Sequence, residues 1–401
     1  LQQENRSQFY PSVSLSFIPS NVMEVLRESA NFDFLKLRIG YGTSAGFPPL
    51  YVTENELSSN ARGYVARDGS VVATNGVSFF LGNPDLQPEL HAEIELGIEF
   101  AMFKNRFGAD FTLYSKTTNN LITDASLDPA TGYYQTYVNI GEMTNRGLEL
   151  ELYLTPVRTT NFDWTITGIF TKYESVVEEL GAGLDKVLIS GFSDLGNYAI
   201  AGQPYGVMYG YKIARDEDDN FIVDGSGNYL QSDEPQIIGN PHPDFETSII
   251  NRFTYKGLSL NVQFDYRQGG DIFSETVNTL LGRGLTKDTD FNRQETFVLE
   301  GVTTEGLPNE VQLTASNAYF NNFGTQAPPE VNVIDGTTVR LREISLSYSL
   351  PQKWMSKLPF KGVEISLMGQ NIWFKALSFP EYMNFDTDVL SLGVGNGLGF
   401  D

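Results

Sequence analysis

The stretch His91-Ala92-Glu93-Ile94-Glu95-Leu96-Gly97-Ile98-Glu99-Phe100 alternates without a slip: Ala92, Ile94, Leu96, Ile98 and Phe100 are apolar, and His91, Glu93, Glu95, Gly97 and Glu99 stand between them. Successive side chains of a strand point to opposite faces, so the segment predicts a ribbon with one apolar and one acidic side. The same period returns at Phe107, Ala109, Phe111 and Leu113, at Leu148, Leu150, Leu152 and Leu154, and at Leu258, Leu260, Val262, Phe264 and Tyr266. Recurrence on this scale is the pattern of an all-β fold, a transmembrane antiparallel β-barrel with lipid on one face of its wall and a wet lumen on the other.

The bulk numbers agree. The 401 residues include 20 Tyr, 28 Phe and 38 Gly but no Cys, a composition suited to strands, turns and aromatic girdles and closed to disulfide or thiolate chemistry. No run of about 18 apolar residues occurs, which excludes a helical membrane span. The mean hydropathy of -0.22 is what alternation produces, because polar and apolar residues cancel. A net charge of -23 argues against nucleic acid as a partner. The opening Leu1-Gln2-Gln3-Glu4-Asn5-Arg6 has neither the charged nor the apolar region of a signal peptide, so the N-terminus of the full polypeptide is expected upstream.

Alternation predicts ten strands, at about 10–18, 34–41, 89–101, 106–116, 133–154, 163–173, 246–255, 258–268, 339–350 and 363–373. Short and long connections alternate between them. The chain 1–401 therefore reads as one part of an outer-membrane barrel, with long extracellular loops at about 42–88, 174–245, 269–338 and 374–401 and a further long connection at 117–132. On that parity the strand ending at Trp373 runs outward, and the Gly-rich 393–401 is expected to form no closing strand. Ten strands alone would leave open edges in hydrocarbon, so further strands are expected at both ends. The stretch 205–215 is placed in a hairpin within the 174–245 loop, and Arg342 beside Glu343 reads as a β-bulge.

Period two puts Glu93, Glu95, Glu99, Asp110, Asp265, Arg267, Arg340 and Arg342 on the lumen side, where a solvated, ion-paired wall is a simpler role than acid–base catalysis. No catalytic residue is expected. Asp216, Asp218 and Asp224 are weak calcium candidates, because the sixth position of an EF-hand loop wants Gly and finds Phe221 or Tyr229. His91 and His242 alone cannot build a zinc site without carboxylates, and no cofactor motif is present. Phe100, Phe103, Tyr114, Tyr153, Phe162, Trp164, Tyr255 and Trp373 lie near strand ends, as girdle residues do. Phe192, Tyr198, Tyr229, Phe291, Phe297 and Tyr319 lie in long loops, where they contact substrate or partner or else staple the loops to themselves.

Several segments, taken in order, resemble one family. Phe9-Tyr10-Pro11-Ser12-Val13-Ser14-Leu15, Leu35-Lys36-Leu37-Arg38-Ile39-Gly40-Tyr41-Gly42, Gly82-Asn83-Pro84-Asp85-Leu86-Gln87-Pro88-Glu89, the run from Asn139 to Leu150, the run from Val339 to Tyr348, and Gly369-Gln370-Asn371-Ile372 are similar to the C-terminal barrel of SusC-like TonB-dependent outer-membrane transporters. The resemblance implies about ten strands of a roughly 22-stranded barrel in a Gram-negative outer membrane. It also implies a plug and a TonB-contacting region outside this chain, a SusD-like surface lipoprotein as cap, and lipid and lipopolysaccharide around the wall. The function it implies is nutrient uptake, the import of oligosaccharides or peptides, with no enzyme activity. A barrel used as scaffold in a larger outer-membrane assembly is the alternative, and a soluble all-β protein would require the Leu148 to Leu154 face to pack against protein.

Overall fold

In the computed structural model, which describes residues 5–59, 63–181, 184–355, 360, 362–389 and 399–400, one sheet dominates. Its ten strands are β1 (Ser12–Phe17), β2 (Phe32–Gly46), β3 (Glu89–Met102), β4 (Phe107–Asn119), β5 (Glu142–Arg158), β6 (Phe162–Glu179), β7 (Pro243–Tyr255), β8 (Leu258–Gly269), β9 (Thr338–Ser349) and β10 (Glu364–Ala376). They pair in chain order, each antiparallel to the next. This is a partial up-and-down barrel wall, as the alternation predicts.

Tight turns close one end. Phe103, Lys104 and Asn105 all take left-handed backbone between β3 and β4, and Lys256-Gly257, with φ of 47° and 88°, makes a two-residue turn between β7 and β8. Positive φ at both central residues matches the right-handed twist of the paired strands. The long connections leave the other end.

The fifth strand departs from expectation. Rather than running unbroken from 133, the chain bends at Gly141, whose φ of 85° and contact with the Glu179 carbonyl leave no room for a Cβ. The preceding Gln135–Asn139 pairs instead with Ile122–Ser126, and Phe80–Leu81 adds to it in parallel. The 205–215 stretch stays in the loop layer as expected: Val207–Gly210 pairs antiparallel with Leu195–Ile200 as a hairpin, which Lys186–Phe192 and Gln236–Gly239 extend to a four-stranded sheet. The bulge stands where it was expected: the pairing skips Arg342 on both sides of β9.

The two faces of the wall differ completely. One carries registered apolar rows such as Ile39, Leu96, Leu113 and Leu148, and Leu37, Ile98, Phe111, Leu150 and Phe170. Many of these are open to the surroundings, for example Ile39 at 44% and Leu96 at 48%. Aromatic pairs stack on the same face: Trp164 with Phe253 (5.6 Å) near the tight turns, and Phe170 with Phe245 (5.4 Å) on the loop side of the belt's centre. The buried hydrophobic clusters lie in the loop layer, around Ile140, Val187 and Ala199, around Ile272, Val277 and Phe379, and around Met208 and Phe273. An exposed apolar band carrying stacked aromatics, with the packed core displaced to one end, is the anatomy of a wall that lipid covers. Among the described residues no helix is long and apolar enough to cross a membrane.

Candidate binding cleft

On the polar face, β2, β3 and β4 are cross-braced by charge. Arg38 donates to both carboxylate oxygens of Asp110 (2.9 and 2.5 Å) and to the Thr112 hydroxyl (2.7 Å), lies 3.5 Å from Glu95, and its neighbour Lys36 reaches Glu99 at 3.4 Å. Glu93 lines a shallow hollow on the same face with Lys116. Three glycines there act as notches. The Arg38 side chain lies over Gly97, the Tyr153 ring over Gly108, and the Tyr114 ring over Gly147. Tyr114 and Tyr153 are therefore not girdle residues: strand parity turns them to the polar side, where each fills the gap left by a missing Cβ on the adjacent strand.

A deeper cleft opens where β6 to β9 meet the loop layer. Two adjoining cavities of about 260 and 440 Å³ share Glu246, Arg267 and Asp388 in their walls. The floor is an ion network. Asp265 accepts from Ser248 (2.7 Å), from Gln263 (2.9 Å) and from Arg342 Nε (2.5 Å). Arg342 also reaches Asp388 (2.8 Å) and the Asn371 side chain (2.9 Å). Arg340, only 3% exposed, is held by both oxygens of Asp386 and lies 3.2 Å from Asp388. The Arg340 guanidinium keeps the Asp386 carboxyl below the usual carboxylate range. These contacts fold residues 377–389 back against the wall, helped by the Thr338–Thr387 hydroxyl pair (2.8 Å). The predicted 374–401 loop is thus described only in part, with 390–398 and 401 outside the described residues.

Arg267 behaves differently from the other cations of this cleft. It is the cross-strand partner of Glu246, yet neither side chain enters an ion pair among the described residues. Arg267 donates to the Pro241 carbonyl at 3.0 Å, and its Nε is buried without a partner. Close by, His242 is largely enclosed between the Tyr205 carbonyl (2.6 Å) and the Tyr173 hydroxyl (3.4 Å), and burial lowers its pKa from the ordinary value. The cleft therefore offers one donor fork and one acceptor pair beside an already saturated ion network.

The eight charged residues expected on one face are gathered into these two regions. The sequence reading passed over Lys36 and Arg38, although their own alternation in 35–39 puts them there. Asp386, Asp388 and His242 carry no periodic signal. Of the six loop aromatics, Phe192 alone is exposed. Tyr198 is buried, donates to the Ser193 carbonyl (2.7 Å) and packs on Tyr209, so it cannot meet a solute here. Tyr229 packs on Phe221, and Phe291, Phe297 and Tyr319 form one mutual cluster. These four pack on aromatic neighbours within the loops. The calcium candidates are engaged in their own turns. Asp216 accepts from the backbone of Asp218 and Asn220, Asp224 accepts from that of Ser226 and Asn228, and among the described residues no group of three or more His, Asp or Glu could hold a metal.

Residues 2–372 match the family model described as TonB dependent receptor-like, beta-barrel. TonB-dependent receptor P26 of Formosa agariphila is 26% identical over 98% of this chain and 40% of its own length. TonB-dependent receptor SusC of Bacteroides thetaiotaomicron is 23% identical over 90% of this chain and 36% of its own length. Among solved structures, the RagAB peptide importer in its closed-closed state superposes with a TM-score of 0.69 at 22% identity, covering 93% of this chain and 40% of that one. The chain spans about two fifths of the length of these relatives.

Proposed function

Because this chain belongs to the TonB-dependent receptor-like β-barrel family, outer-membrane proteins of Gram-negative bacteria, we propose that it is the C-terminal part of the wall of a SusC-like importer of oligosaccharides or peptides. The long connections are then its extracellular loops and the polar face its lumen. The observation that carries the reading is the position of the charged cleft: it lies on the wet face, directly under the loop layer, where an entering solute first meets the wall. Glu246 and Arg267 supply an acceptor and a donor not committed to ion pairs, and oligosaccharide hydroxyls or peptide amides need both. The work is binding and passage, so no residue here is assigned a covalent step. A SusD-like lipoprotein over the loops, and TonB acting through regions outside this chain, complete the machine on this reading.

The test is uptake in the native bacterium. Deleting the whole gene should abolish accumulation of labelled oligosaccharide or peptide pools. Restoring it with Glu246→Gln and Arg267→Gln together should return a folded barrel with impaired uptake. Unchanged uptake on deletion would sink the importer reading and leave the scaffold role.

A further inference from the structure

The apolar face carries two cations where its belt ends. Arg146 lies two residues before Leu148 on β5, and Lys172 is the cross-strand partner of Leu148 on β6, so both share the side of Leu148 and Leu150 rather than the lumen side. Both are exposed. Neither side chain makes an ion pair or hydrogen bond among the described residues, although Glu174 stands directly across from Arg146. In the same chain Arg38, Arg340 and Arg342 are all paired with carboxylates. Ile94, Leu96, Leu113 and Leu148 line an open groove of about 520 Å³, and Arg146, Lys172 and Glu174 stand at its polar end.

A groove on this face is filled by lipid, and the charges at its rim stand at headgroup depth, where a cation costs little; at mid-belt it would be expelled. Two cations against one carboxylate leave the polar end of this apolar groove net positive, which complements an amphiphile with an anionic head. We propose that Arg146 and Lys172 clamp the phosphate of a membrane lipid whose acyl chain lies along Ile94, Leu96, Leu113 and Leu148. The inference rests on the membrane reading above, and the loop-end position of the pair assigns the lipid to the leaflet on the loop side.

The test uses the full-length protein in nanodiscs of zwitterionic phosphatidylcholine, titrated with bisphosphorylated lipid A, with its dephosphorylated counterpart, and with inorganic phosphate. The phosphorylated lipid should bind preferentially, and Arg146→Gln with Lys172→Gln should weaken it by roughly thirtyfold while leaving the dephosphorylated lipid unaffected. Equal binding by the double variant overturns the proposal. So does equal binding of the two lipids, and so does displacement by free phosphate. Heat-modifiable gel mobility verifies that the variant folds. A protein that does not enter the bilayer at all refutes the membrane reading, which separates the two failures.

Discussion

Arg340 and Asp386 meet through two parallel hydrogen bonds, Nη1 to Oδ2 at 3.1 Å and Nη2 to Oδ1 at 2.5 Å, across 46 residues of sequence. The guanidinium is almost wholly buried beside the Phe374 ring, so the pair anchors residues 377–389 to the wall from inside the cleft. Removing one partner of such a pair leaves the other charge uncompensated. Arg340→Gln should destabilise the anchored segment by about 3 kcal/mol, with Asp386→Asn milder because Asp388 remains near Arg340. Limited proteolysis of the full-length protein would show new cleavage within 377–389 in the first variant; protection equal to wild type would contradict the anchoring.

His242 predicts a pH dependence with a definite sign. Its Nε2 donates to the Tyr205 carbonyl, and a neutral ring leaves Nδ1 able to accept from the Tyr173 hydroxyl. Burial lowers its pKa from the ordinary 6.5, and nearby Arg267 pushes the same way. The unfolded or opened form therefore takes up a proton first as pH falls. This contribution to stability is complete above about 6.5 and shrinks as pH drops toward the folded value. Hydrogen exchange at 203–206 and 240–243 should accelerate between about pH 7.5 and about pH 5.5 beyond the intrinsic trend, and His242→Gln should flatten that change.

The wall was legible because lipid imposes a rule that every residue of a strand must obey. Leu148, Leu150, Leu152 and Leu154 can occupy only one face, and ten such ribbons were found in order. What depends on contacts between distant segments was not legible. Gly141 ends the run before β5 because the Glu179 carbonyl occupies the space its Cβ would need. Tyr198 is buried by a four-stranded sheet whose members come from 186 to 239. Asp386 and Asp388 enter the cleft from a stretch without any repeat, so nothing local marks them as partners of Arg340 and Arg342. Tyr114 and Tyr153 lie near strand ends, as girdle residues do, but strand parity is the stronger rule and sets them on the polar face.

The glycine notches predict a coupled pair of substitutions. The Tyr153 ring occupies the place of the Gly108 Cβ, so Gly108→Val should collide with it and cost about 1 to 3 kcal/mol. Tyr153→Ala alone should also destabilise, by exposing the notch. Combined, the two should cost clearly less than their sum, because the new side chain enters the space the ring has left. A double-mutant cycle measured by urea unfolding in micelles reads the coupling, and strict additivity would rule out the contact.

The orientation of the whole wall reduces to Glu149 and its neighbour Leu150. Leu150 lies between Phe111 on β4 and Phe170 on β6 in the middle of the apolar belt, while Glu149 lies between Thr112 and Thr171 on the polar side. An arginine at position 150 would put its charge near the bilayer midplane, whereas one at 149 would stand in a wet lumen that already accommodates Arg38 and Lys36. Leu150→Arg should therefore cost about 2 to 4 kcal/mol and Glu149→Arg much less. The comparison is made on the same strand, one residue apart, so differences in strand propensity and folding route cancel. Refolding yield and unfolding midpoint in lipid vesicles measure it, and equal tolerance of the two substitutions would mean that the Leu148 to Leu154 face does not meet lipid.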